Sequence, residues 1–489
     1  MLTFLIFFPV LGALVVATLP RDQEHQAKHM ALLVSGAVLI AALVAFGLFD
    51  QNEDGLQFTE RFTWIGADEA GFNIQYFLGV DGLGLSMVLL TAFLFVVAVL
   101  VSWKIELRPK EYFAWLLALE TAVMGVFTAQ DLILFFLFWE AELVPMYLLI
   151  SIWGSGRKQY SAMKFVLFTL GGSALMLVGF LVLAFSAEPS TFDMQALQEA
   201  ELSNALLPLP AVFFLIFAGF AVKLPIVPLH TWLPDAHTDA PTAVSVILAG
   251  VLLKMGGYGM LRILVGIMPD TAQQYAVWLA SLAAISILYG AVVTMRQRDL
   301  KRLIAYSSVS HMGYVLLGIA ALGQVGLTGA TLQMFSHGVI TGLLFVMVGL
   351  IYDRAHTRNI DELSGLAHQT PVIATALVMA GLASLGLPAM SGFVAEVMVF
   401  LGTAGRFTAP TILAVIGILL SAGYILWTLQ RVVFGPKDPR WAEMPDAVAW
   451  WEQAPVAAML AVILAVGIFP ARLVEVIEQG ILPIASRLV

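Results

Sequence analysis

Apolar residues fill this chain in long, uninterrupted runs rather than in the alternating patterns of soluble domains. Runs of about 18 or more apolar residues recur along the whole length, and each can cross a bilayer as a helix. The pattern predicts an all-α polytopic membrane protein with about 14 transmembrane helices. The predicted spans are 2–20, 29–49, 76–103, 111–129, 131–153, 159–186, 208–234, 241–268, 272–295, 299–321, 326–352, 370–403, 409–434 and 452–470.

Two of the spans are interrupted by the same kind of signal, VKLPIVP at 222–228 and GLPAMSG at 386–392. Breaks at membrane depth are tolerated where protein or a water-filled cavity satisfies the freed backbone groups. Paired breaks in corresponding places indicate two inverted five-helix repeats, each with its broken helix fourth. The tail 471–489 mixes charged and apolar residues and is predicted to lie along the membrane interface. The predicted units are 1–110, 111–268, 272–434 and 435–489.

The polar loops alternate in charge along the chain. The stretch 50–75 carries Asp50, Glu53, Asp54, Glu60, Asp68 and Glu69, and the stretch 187–207 is also acidic. The loops between them are rich in lysine and arginine, and such short loops face the cytoplasm. With about 14 spans the basic loops fall on one side, so both termini are expected on the outer side. The basic loop residues include Lys104, Arg108, Lys110, Arg157, Lys158, Arg296, Arg298, Lys301, Arg302, Arg354, Arg358, Arg431, Lys437 and Arg440.

Composition narrows the chemistry further. The chain is 60% hydrophobic and 12% charged, and it contains no cysteine. This removes disulfides, thiolate metal sites and iron–sulfur clusters from the chain. Neither a phosphate-binding G-x-x-x-x-G-K-[ST] loop nor an H-E-x-x-H motif occurs in the sequence. We therefore expect no metal and no cofactor in this chain, with a haem between His311 and His337 as a weaker alternative.

Ionisable residues deep in apolar spans are the candidates for function. Lys223 follows about 13 residues of its span, or roughly 20 Å of helix, too deep for its amine to reach a headgroup. A charge at the bilayer centre costs roughly 2.5–3.5 kcal/mol to insert, so such residues are functional hypotheses by default. Lysine, glutamate and histidine on adjacent helices can form a proton relay with water in the gaps. The candidates are Glu140, Lys223, Lys254, His311, His337 and Glu396.

Other polar residues in the spans leave their interpretation open. Glu142 is two residues from Glu140 on a helix and should point about 200° away, so the two are not expected to form a dyad. Glu120 fits a relay or a structural pair equally well, whereas Lys164 lies near the end of its span and can snorkel. His230 and His237 flank the WLPDAHTDAP turn, where they could gate a half-channel, cap a helix or bond to the turn.

Three long motifs carry a family resemblance. They are FFLFWEAELVPMYLLISIWG, AGFAVKLPIVPLHTWLPDAHTDAPTAVSVILAGVLLKMGGYGMLR and RDLKRLIAYSSVSHMGY, and FLGVDGLGLSM adds a fourth. The chain resembles the antiporter-like subunits of respiratory complex I, whose superfamily includes Mrp-type sodium/proton antiporter subunits. Glu396 in LPAMSGFVAE is typical of the M-subunit branch of bacterial NADH:quinone oxidoreductase, because other branches usually place a lysine there.

The resemblance implies roles for the candidate residues. Glu140 and Lys223 would be an interacting pair in a proton-input half, and Lys254 would connect it to an output half through His311, His337 and Glu396. The implied function is proton translocation in the bacterial cytoplasmic (inner) membrane, driven by quinone reduction in partner subunits. The implied partners are other membrane-arm subunits and lipid, with no nucleic acid. Alternatives are a sodium/proton antiporter subunit, a haem-bearing redox protein, and a passive scaffold.

Overall fold

Fourteen membrane spans build the fold in the described part of the chain. The computed structural model describes residues 1–53, 55–67, 72–202 and 206–488, so Asp54, Asp68 and Glu69 of the predicted acidic loop lie outside the described residues. Within those residues, eleven helices are long and apolar enough to cross a membrane. The helix Leu2–Thr18 and two broken helices bring the number to fourteen, which confirms the predicted polytopic membrane fold.

The first seven spans follow one another along the chain, with two β-strands between spans 2 and 3. A 3₁₀ turn, Arg21–Gln26, separates spans 1 and 2, and a short helix, Met194–Glu199, lies between spans 6 and 7. Spans 1 to 7 are Leu2–Thr18, Ala27–Leu48, Gly82–Val101, Pro109–Thr128, Leu132–Ala141 continued by Leu143–Trp153, Lys158–Ser186, and Leu209–Lys223 continued after a break by Trp232–Asp239.

The second seven spans start with an irregular helix. Span 8 is an α-helix at Thr242–Ile247, a π-helix at Leu248–Leu252, an α-helix at Leu253–Gly259 and a π-helix at Met260–Val265. A short helix, Pro269–Gln274, follows it. Spans 9 to 14 are Ala276–Thr294, Leu300–Ala320, Gln324–Ala355, Pro371–Ser384 continued after a break by Ser391–Ala404, Thr408–Val432 and Trp450–Ile468, and a tail helix follows at Ala471–Ala485.

Three spans begin at an aspartate that caps the helix. The side chain of Asp81 accepts from the amide of Gly84 at 3.0 Å, and Asp299 accepts from the amide of Arg302 at 3.0 Å. Asp131 accepts from two amides at the start of span 5. The first amides of a helix have no partner within the helix, so a capping carboxylate both bonds them and complements the helix dipole.

A β-hairpin stands where the sequence predicted a loop and the start of span 3. Strand β1, Gln57–Ala67, pairs with strand β2, Phe72–Val80, in antiparallel register, with Arg61 opposite Phe77. The prediction of a helix from residue 76 is therefore wrong, and span 3 begins at Gly82. Aromatic and β-branched residues fill both strands and favour extended backbone, but a hydropathy run does not separate a short apolar strand from the helix that follows it.

The two ends of the bundle differ in charge. We call one end the terminal face, since it carries Met1, the hairpin and the tail helix; there the Met1 amine bonds Glu60 at 2.5 Å. The opposite end is the basic face, where the lysine- and arginine-rich loops meet. Lys104 and Arg354 both bind Glu452 there, at 3.0 and 2.9 Å. The alternation of loop charge along the chain thus becomes a separation of charge between two faces.

Spans 3, 8, 10 and 11 form the centre of the bundle. Every residue in the most apolar stretch of spans 8 and 11 is buried, whereas spans 2, 6, 13 and 14 expose much of their surface. The central spans therefore carry their polar side chains in an environment made by protein. The spans at the periphery present leucine, isoleucine and phenylalanine outward, as lipid-facing helices do.

The two broken spans resolve their breaks in the same way. The amide of Ile226 donates to the carbonyl of Ala221 at 2.9 Å, and the amide of Leu387 donates to the carbonyl of Leu382 at 3.1 Å. Both bonds reach back five residues, and each satisfies a carbonyl that the interrupted helix would leave free. The likeness is what two structural repeats should show, and the repeat boundaries 111–268 and 272–434 stay a prediction.

The tail helix Ala471–Ala485 crosses the terminal face. Gln479 accepts from the amide of Gly82 at 3.0 Å and donates to the carbonyl of Glu53 at 2.7 Å. Beside it, Arg262 at the end of span 8 binds Asp81 at the start of span 3 at 2.6 Å, and both side chains are buried. These contacts hold spans 3 and 8 and the tail together.

We predict that Arg262→Met destabilises the fold strongly. Removing the guanidinium leaves the Asp81 carboxylate buried without a counter-charge, and breaking such a pair typically costs about 3–5 kcal/mol. The measurement is the thermal unfolding midpoint of the chain in isolated membranes, read from the fraction that stays soluble after heating and extraction. Arg472→Met is the matched control, because Arg472 is exposed on the same face. Equal midpoints for the two variants would contradict the structural role of the pair.

Candidate functional site

The first polar cluster lies at the break in span 7. Lys223 is the last residue of the helix Leu209–Lys223, and its side chain is 1% exposed. The aromatic rings of Trp139 and Phe165 lie 5.3 and 5.4 Å from its amine, close enough for cation–π attraction. Trp232 donates its ring N–H to the carbonyl of Val222 at 2.9 Å, so the backbone at the break is satisfied beside the lysine. The predicted position of Lys223 at a buried helix break agrees with the structure.

The charge partner of Lys223 is Glu142, not Glu140. The Lys223 amine forms a direct ion pair with the Glu142 carboxylate, which is fully buried. The expected direct pairing of Lys223 with Glu140 is therefore wrong. Glu140 is only half-buried, and its carboxylate lies beside Ser173 of span 6, although it still senses the charge of Lys223.

The backbone stays helical at the glutamate that faces the lysine. Glu142 joins the helical segments Leu132–Ala141 and Leu143–Trp153 with a φ of −71° and a ψ of −22°. Pro145 lies three residues further on, where it has no amide to donate and its ring crowds the preceding turn. Glu142 pairs with Lys223 and Glu140 does not, but the sequence does not show which of the two side chains faces span 7.

The second polar cluster begins at Lys254, between the two π-helical segments of span 8. Its amine donates to the carbonyl of Ala249, which belongs to the first π-helix, and lies 2.8 Å from Nδ1 of His337 on span 11. A π-turn shifts the helical bonding by one residue, and such turns are frequent at functional sites. No residue pattern in VILAGVLLKMGGYGMLRIL had indicated the two π-helices.

His311 and Glu396 extend the cluster toward the break in span 12. The rings of His311 and His337 are 5.5 Å apart between centroids, and Nδ1 of His311 lies 3.7 Å from Oε1 of Glu396. Ser384, at the end of the first half of span 12, lies 3.3 Å from Nε2 of His311. Lys254, His337, His311 and Glu396 thus follow one another through the centre of the bundle.

A small cavity lies among these residues. It is lined by His311, Gln333, His337, Ser384 and Glu396, and its volume is about 10 Å³. A single water molecule needs about 10–15 Å³ for its centre, so the cavity offers room for about one. A porphyrin does not fit between the two histidines, so their geometry does not favour the haem alternative. Among the described residues, no three His, Asp or Glu side chains group as metal ligands do.

Gly386 lets the backbone lie close to the carboxylate of Glu396 in this cluster. Its φ is +77°, a conformation that favours glycine, and a Cβ at this position would meet the Glu396 carboxylate. The glycine of GLPAMSG therefore both turns the chain at the break and lets the backbone approach Glu396. The glycine therefore accounts for the second helix break, which the sequence predicted at GLPAMSG.

The other polar residues of the spans, outside the two clusters, differ in whether they have a bonding partner. Lys164 pairs with Asp235 at 2.6 Å, which gives it a structural partner rather than a snorkelling amine. Glu120 is fully buried, and neither of its oxygens has a hydrogen-bond partner among the described residues. The ring of His230 bonds the backbone of Pro228, in keeping with the turn-bonding alternative, whereas both ring nitrogens of His237 lack a hydrogen-bond partner among the described residues.

Comparison with known proteins agrees with this geometry. The family described as NADH:quinone oxidoreductase/Mrp antiporter, transmembrane, matches residues 129–421. NAD(P)H-quinone oxidoreductase chain 4 1 of Synechococcus sp. (strain JA-3-3Ab) is 42% identical over 100% of this chain and 93% of its own length. NADH-quinone oxidoreductase subunit M of Rhodobacter capsulatus is 41% identical over 98% of this chain and 95% of its own length.

Solved structures share the fold. A chain of respiratory complex I from Thermus thermophilus with bound NADH has a TM-score of 0.89 at 28% identity, with 100% of both chains covered. A chain of the Mrp complex from Dietzia sp. DQ12-45-1b has a TM-score of 0.85 at 21% identity, with 100% of this chain and 97% of that chain covered, which shows a common fold. Because the family match spans more than half of the sequence and the relatives cover nearly all of it, the chain belongs to the NADH:quinone oxidoreductase/Mrp antiporter transmembrane family.

Proposed function

We propose that the chain is a proton-translocating membrane subunit of a bacterial NADH:quinone oxidoreductase. The observation that carries the proposal is the buried succession Lys254, His337, His311 and Glu396, in which each side chain can bind and release a proton. The two relatives at 41–42% identity support the choice of enzyme, since both are named as parts of quinone oxidoreductases.

The ion pair of Glu142 and Lys223 controls the first half. While the carboxylate is charged and in contact, it stabilises the ammonium form of the lysine. A change that moves or protonates Glu142 leaves the ammonium without its counter-charge in an apolar site, so the lysine releases its proton. Glu140 lies close enough to contribute to the same field and remains a candidate for passing the coupling signal.

The second half moves the proton along the central spans. Lys254 passes a proton to Nδ1 of His337, whose Nε2 has no hydrogen-bond partner among the described residues and can give a proton onward. A water molecule in the small cavity can join His337 to His311, and His311 exchanges with Glu396 over 3.7 Å. The break after Ser384 gives Glu396 a way toward the terminal face.

The energy must come from partner subunits. A membrane potential opposes outward pumping by about 2.3 kcal/mol per charge per 100 mV, and a proton relay supplies no energy of its own. Reduction of quinone in neighbouring subunits would provide it, and adjoining membrane-arm subunits would cover the exposed flanks. By the excess of lysine and arginine, the basic face lies in the cytoplasm and the terminal face on the outer side of the inner membrane.

We predict that Lys254→Met stops proton transfer through this chain. Methionine fills the same space but carries no proton, so quinone-coupled pumping should fall at least about a hundredfold, the lower end of what removing a proton-transfer group does. The measurement is the number of protons pumped per electron pair by the assembled complex in proteoliposomes. Lys437→Met, at an exposed lysine of the basic face, is the control. An assembled Lys254→Met complex that pumps at the full ratio would refute the proposed function.

Sodium transport is the other outcome of the same assay. The likeness to the Mrp complex shows a common fold alone, at 21% identity. If the reconstituted complex exchanged sodium for protons, and Lys254→Met abolished that exchange, the chain would be an antiporter subunit rather than a proton pump.

We predict that neutralising both partners of the first-half pair is less damaging to stability than neutralising one. Glu142→Gln or Lys223→Met alone leaves a buried charge unpaired, which costs about 3–5 kcal/mol, whereas the double variant leaves none. The thermal midpoint of the purified complex should therefore recover in Glu142→Gln/Lys223→Met. Glu140→Gln/Lys223→Met is the matched control and should show no such recovery. A recovery with Glu140→Gln instead would assign the pair to the other glutamate.

We predict that Glu396→Lys retains more pumping than Glu396→Ala. A lysine at this position can still exchange a proton with His311, and alanine cannot. His337→Ala should be milder than Lys254→Met, because a water molecule can occupy the space of the missing ring. Protons pumped per electron pair distinguish the variants. Should Glu396→Ala pump at the full ratio, the outward path does not run through Glu396.

A further inference from the structure

A cavity of about 520 Å³ opens on the basic face, where spans 2, 3 and 14 come together. It is lined by Lys28 at the start of span 2, Trp103 just after span 3, and Trp451 at the start of span 14. Small-molecule sites have volumes of about 300–1,000 Å³, and this cavity is within that range. No residue of the two polar clusters lines the cavity, so the proposed relay does not account for it.

A group of tryptophan rings marks the depth of this cavity in the membrane. The ring of Trp103 lies between spans 2 and 14, with its centroid 5.1 Å from the ring of His29 and 5.1 Å from the ring of Trp450. The ring of Trp451 stacks on it at 6.2 Å. Tryptophan is enriched at the level of the lipid headgroups, because its ring is apolar and its N–H is polar. The cavity therefore lies at the depth of the headgroups.

An apolar stripe on span 3 runs from this cavity into the membrane. It consists of Leu89, Phe93 and Val96, which are half-buried, whereas every residue between them is buried. Their spacing places them on one face of the helix, and Trp103 follows on the same face. From Leu89 to the end of span 3 is about 18 Å of helix, close to one leaflet at about 15 Å. Spans 2 and 14 both pack on span 3 and expose much of their surface, so the stripe forms the floor of a groove between them.

Two lysines of the cavity are placed to bind a phosphate. The amine of Lys28 lies 5.0 Å from the centroid of the Trp103 ring and donates to the Trp103 carbonyl at 3.4 Å. Among the described residues, no carboxylate is within ion-pair distance of this amine. The side chain of Lys104 stays 59% exposed, although its amine bonds Glu452. Lysine is a common ligand of phosphate in proteins, so the two amines suit the phosphate of a lipid headgroup.

Two glutamates border the same cavity. Glu106 is exposed, and in the part of the chain that the structure describes it forms no ion pair. Glu24 lies 3.9 Å from the amine of Lys110, near the limit of an ion pair. Because two carboxylates accompany the two lysines, the charges of the cavity match a ligand that carries both signs better than they match an anion.

We propose that the cavity and the groove bind one phospholipid of the leaflet on the basic face, and that they prefer phosphatidylethanolamine. The phosphate binds Lys28 and Lys104. The primary ammonium of the headgroup binds Glu24 and Glu106, and one acyl chain lies along the apolar stripe. A primary ammonium has three N–H donors for the carboxylates, whereas the ammonium of phosphatidylcholine has none and phosphatidylglycerol carries no cation. This lipid site goes beyond the proposed function and involves no proton transfer.

Photoreactive lipids test the site in the assembled complex. Three probes carry the same diazirine-labelled acyl chain on phosphatidylethanolamine, phosphatidylcholine or phosphatidylglycerol, each in trace amount in phosphatidylcholine vesicles. We expect the ethanolamine probe to label the apolar stripe about fivefold more than the other two, the upper range for one exposed ion pair. Peptide mapping of this chain locates the label. Equal labelling by the choline probe, stronger labelling by the glycerol probe, or no label on the stripe would overturn the proposal.

Two variants distinguish the two ends of the headgroup. Glu106→Gln removes a partner of the ammonium, so it should lower labelling by the ethanolamine probe and leave labelling by the choline probe unchanged. Lys28→Met removes a partner of the phosphate, so it should lower labelling by both probes by the same factor. Lys437→Met, at an exposed lysine of the same face, is the matched control and should label as the unmodified chain does. An equal loss of both probes in Glu106→Gln, or unchanged labelling in Lys28→Met, would overturn the assigned contacts.

Labelling needs no quinone turnover, so its result is independent of the proposed function. If Lys254→Met pumps at the full ratio while the ethanolamine probe labels the stripe as expected, the relay is wrong and the lipid site stands. If Lys254→Met loses pumping while the three probes label the stripe equally, the relay stands and the lipid site is wrong.

Discussion

The ion pair between Glu142 and Lys223 brings two opposite charges into an interior from which water is excluded. Taking each charge out of water is unfavourable, and only their mutual attraction and nearby dipoles offset it. Each partner is therefore stable in its charged form only while the other is in place. Both partners also lie shortly before a proline, Glu142 before Pro145 and Lys223 before Pro225. Because each proline removes a helical hydrogen-bond donor, a small movement there can change the pair.

The lysine of the second half has different partners from the lysine of the first half. Lys254 has a carbonyl and an imidazole as partners, and among the described residues no carboxylate lies within ion-pair distance of it. A proton on Lys254 is therefore stabilised by dipoles rather than by a counter-charge, which makes it easier to pass on. The π-helix at Leu248–Leu252 supports this arrangement, since its altered bonding presents the Ala249 carbonyl to the amine. The two lysines thus serve one relay with different chemistry.

The sequence predicted the membrane fold and the two broken spans because these follow from strong, local signals. Long apolar runs dictate spanning helices, and glycine and proline at membrane depth dictate breaks. The depth of Lys223, Lys254 and Glu396 was likewise readable by counting residues from the ends of their spans. These predictions needed no knowledge of which helices are neighbours in space.

What the sequence could not give depends on rotation and packing. The choice between Glu140 and Glu142 depends on how span 5 is rotated against span 7, and a residue pattern does not encode that angle. The hairpin at 57–80 was missed because strand and helix look alike in a short apolar run. His237 was recognised only as one histidine near a turn, since its stacking on Phe345 is set by how spans 7 and 11 meet.

The two breaks show how one backbone arrangement can serve two chemistries. In the first, Lys223 is the last residue of its helix, where the negative end of the helix dipole favours a cation. In the second, Glu396 lies past the first turn of the helix Ser391–Ala404, beyond the reach of the dipole at that end. Its neighbours are His311 and the backbone of Gly386, not a fixed cation. The first break therefore stabilises a charge in place, and the second leaves a carboxyl group that exchanges protons with a histidine.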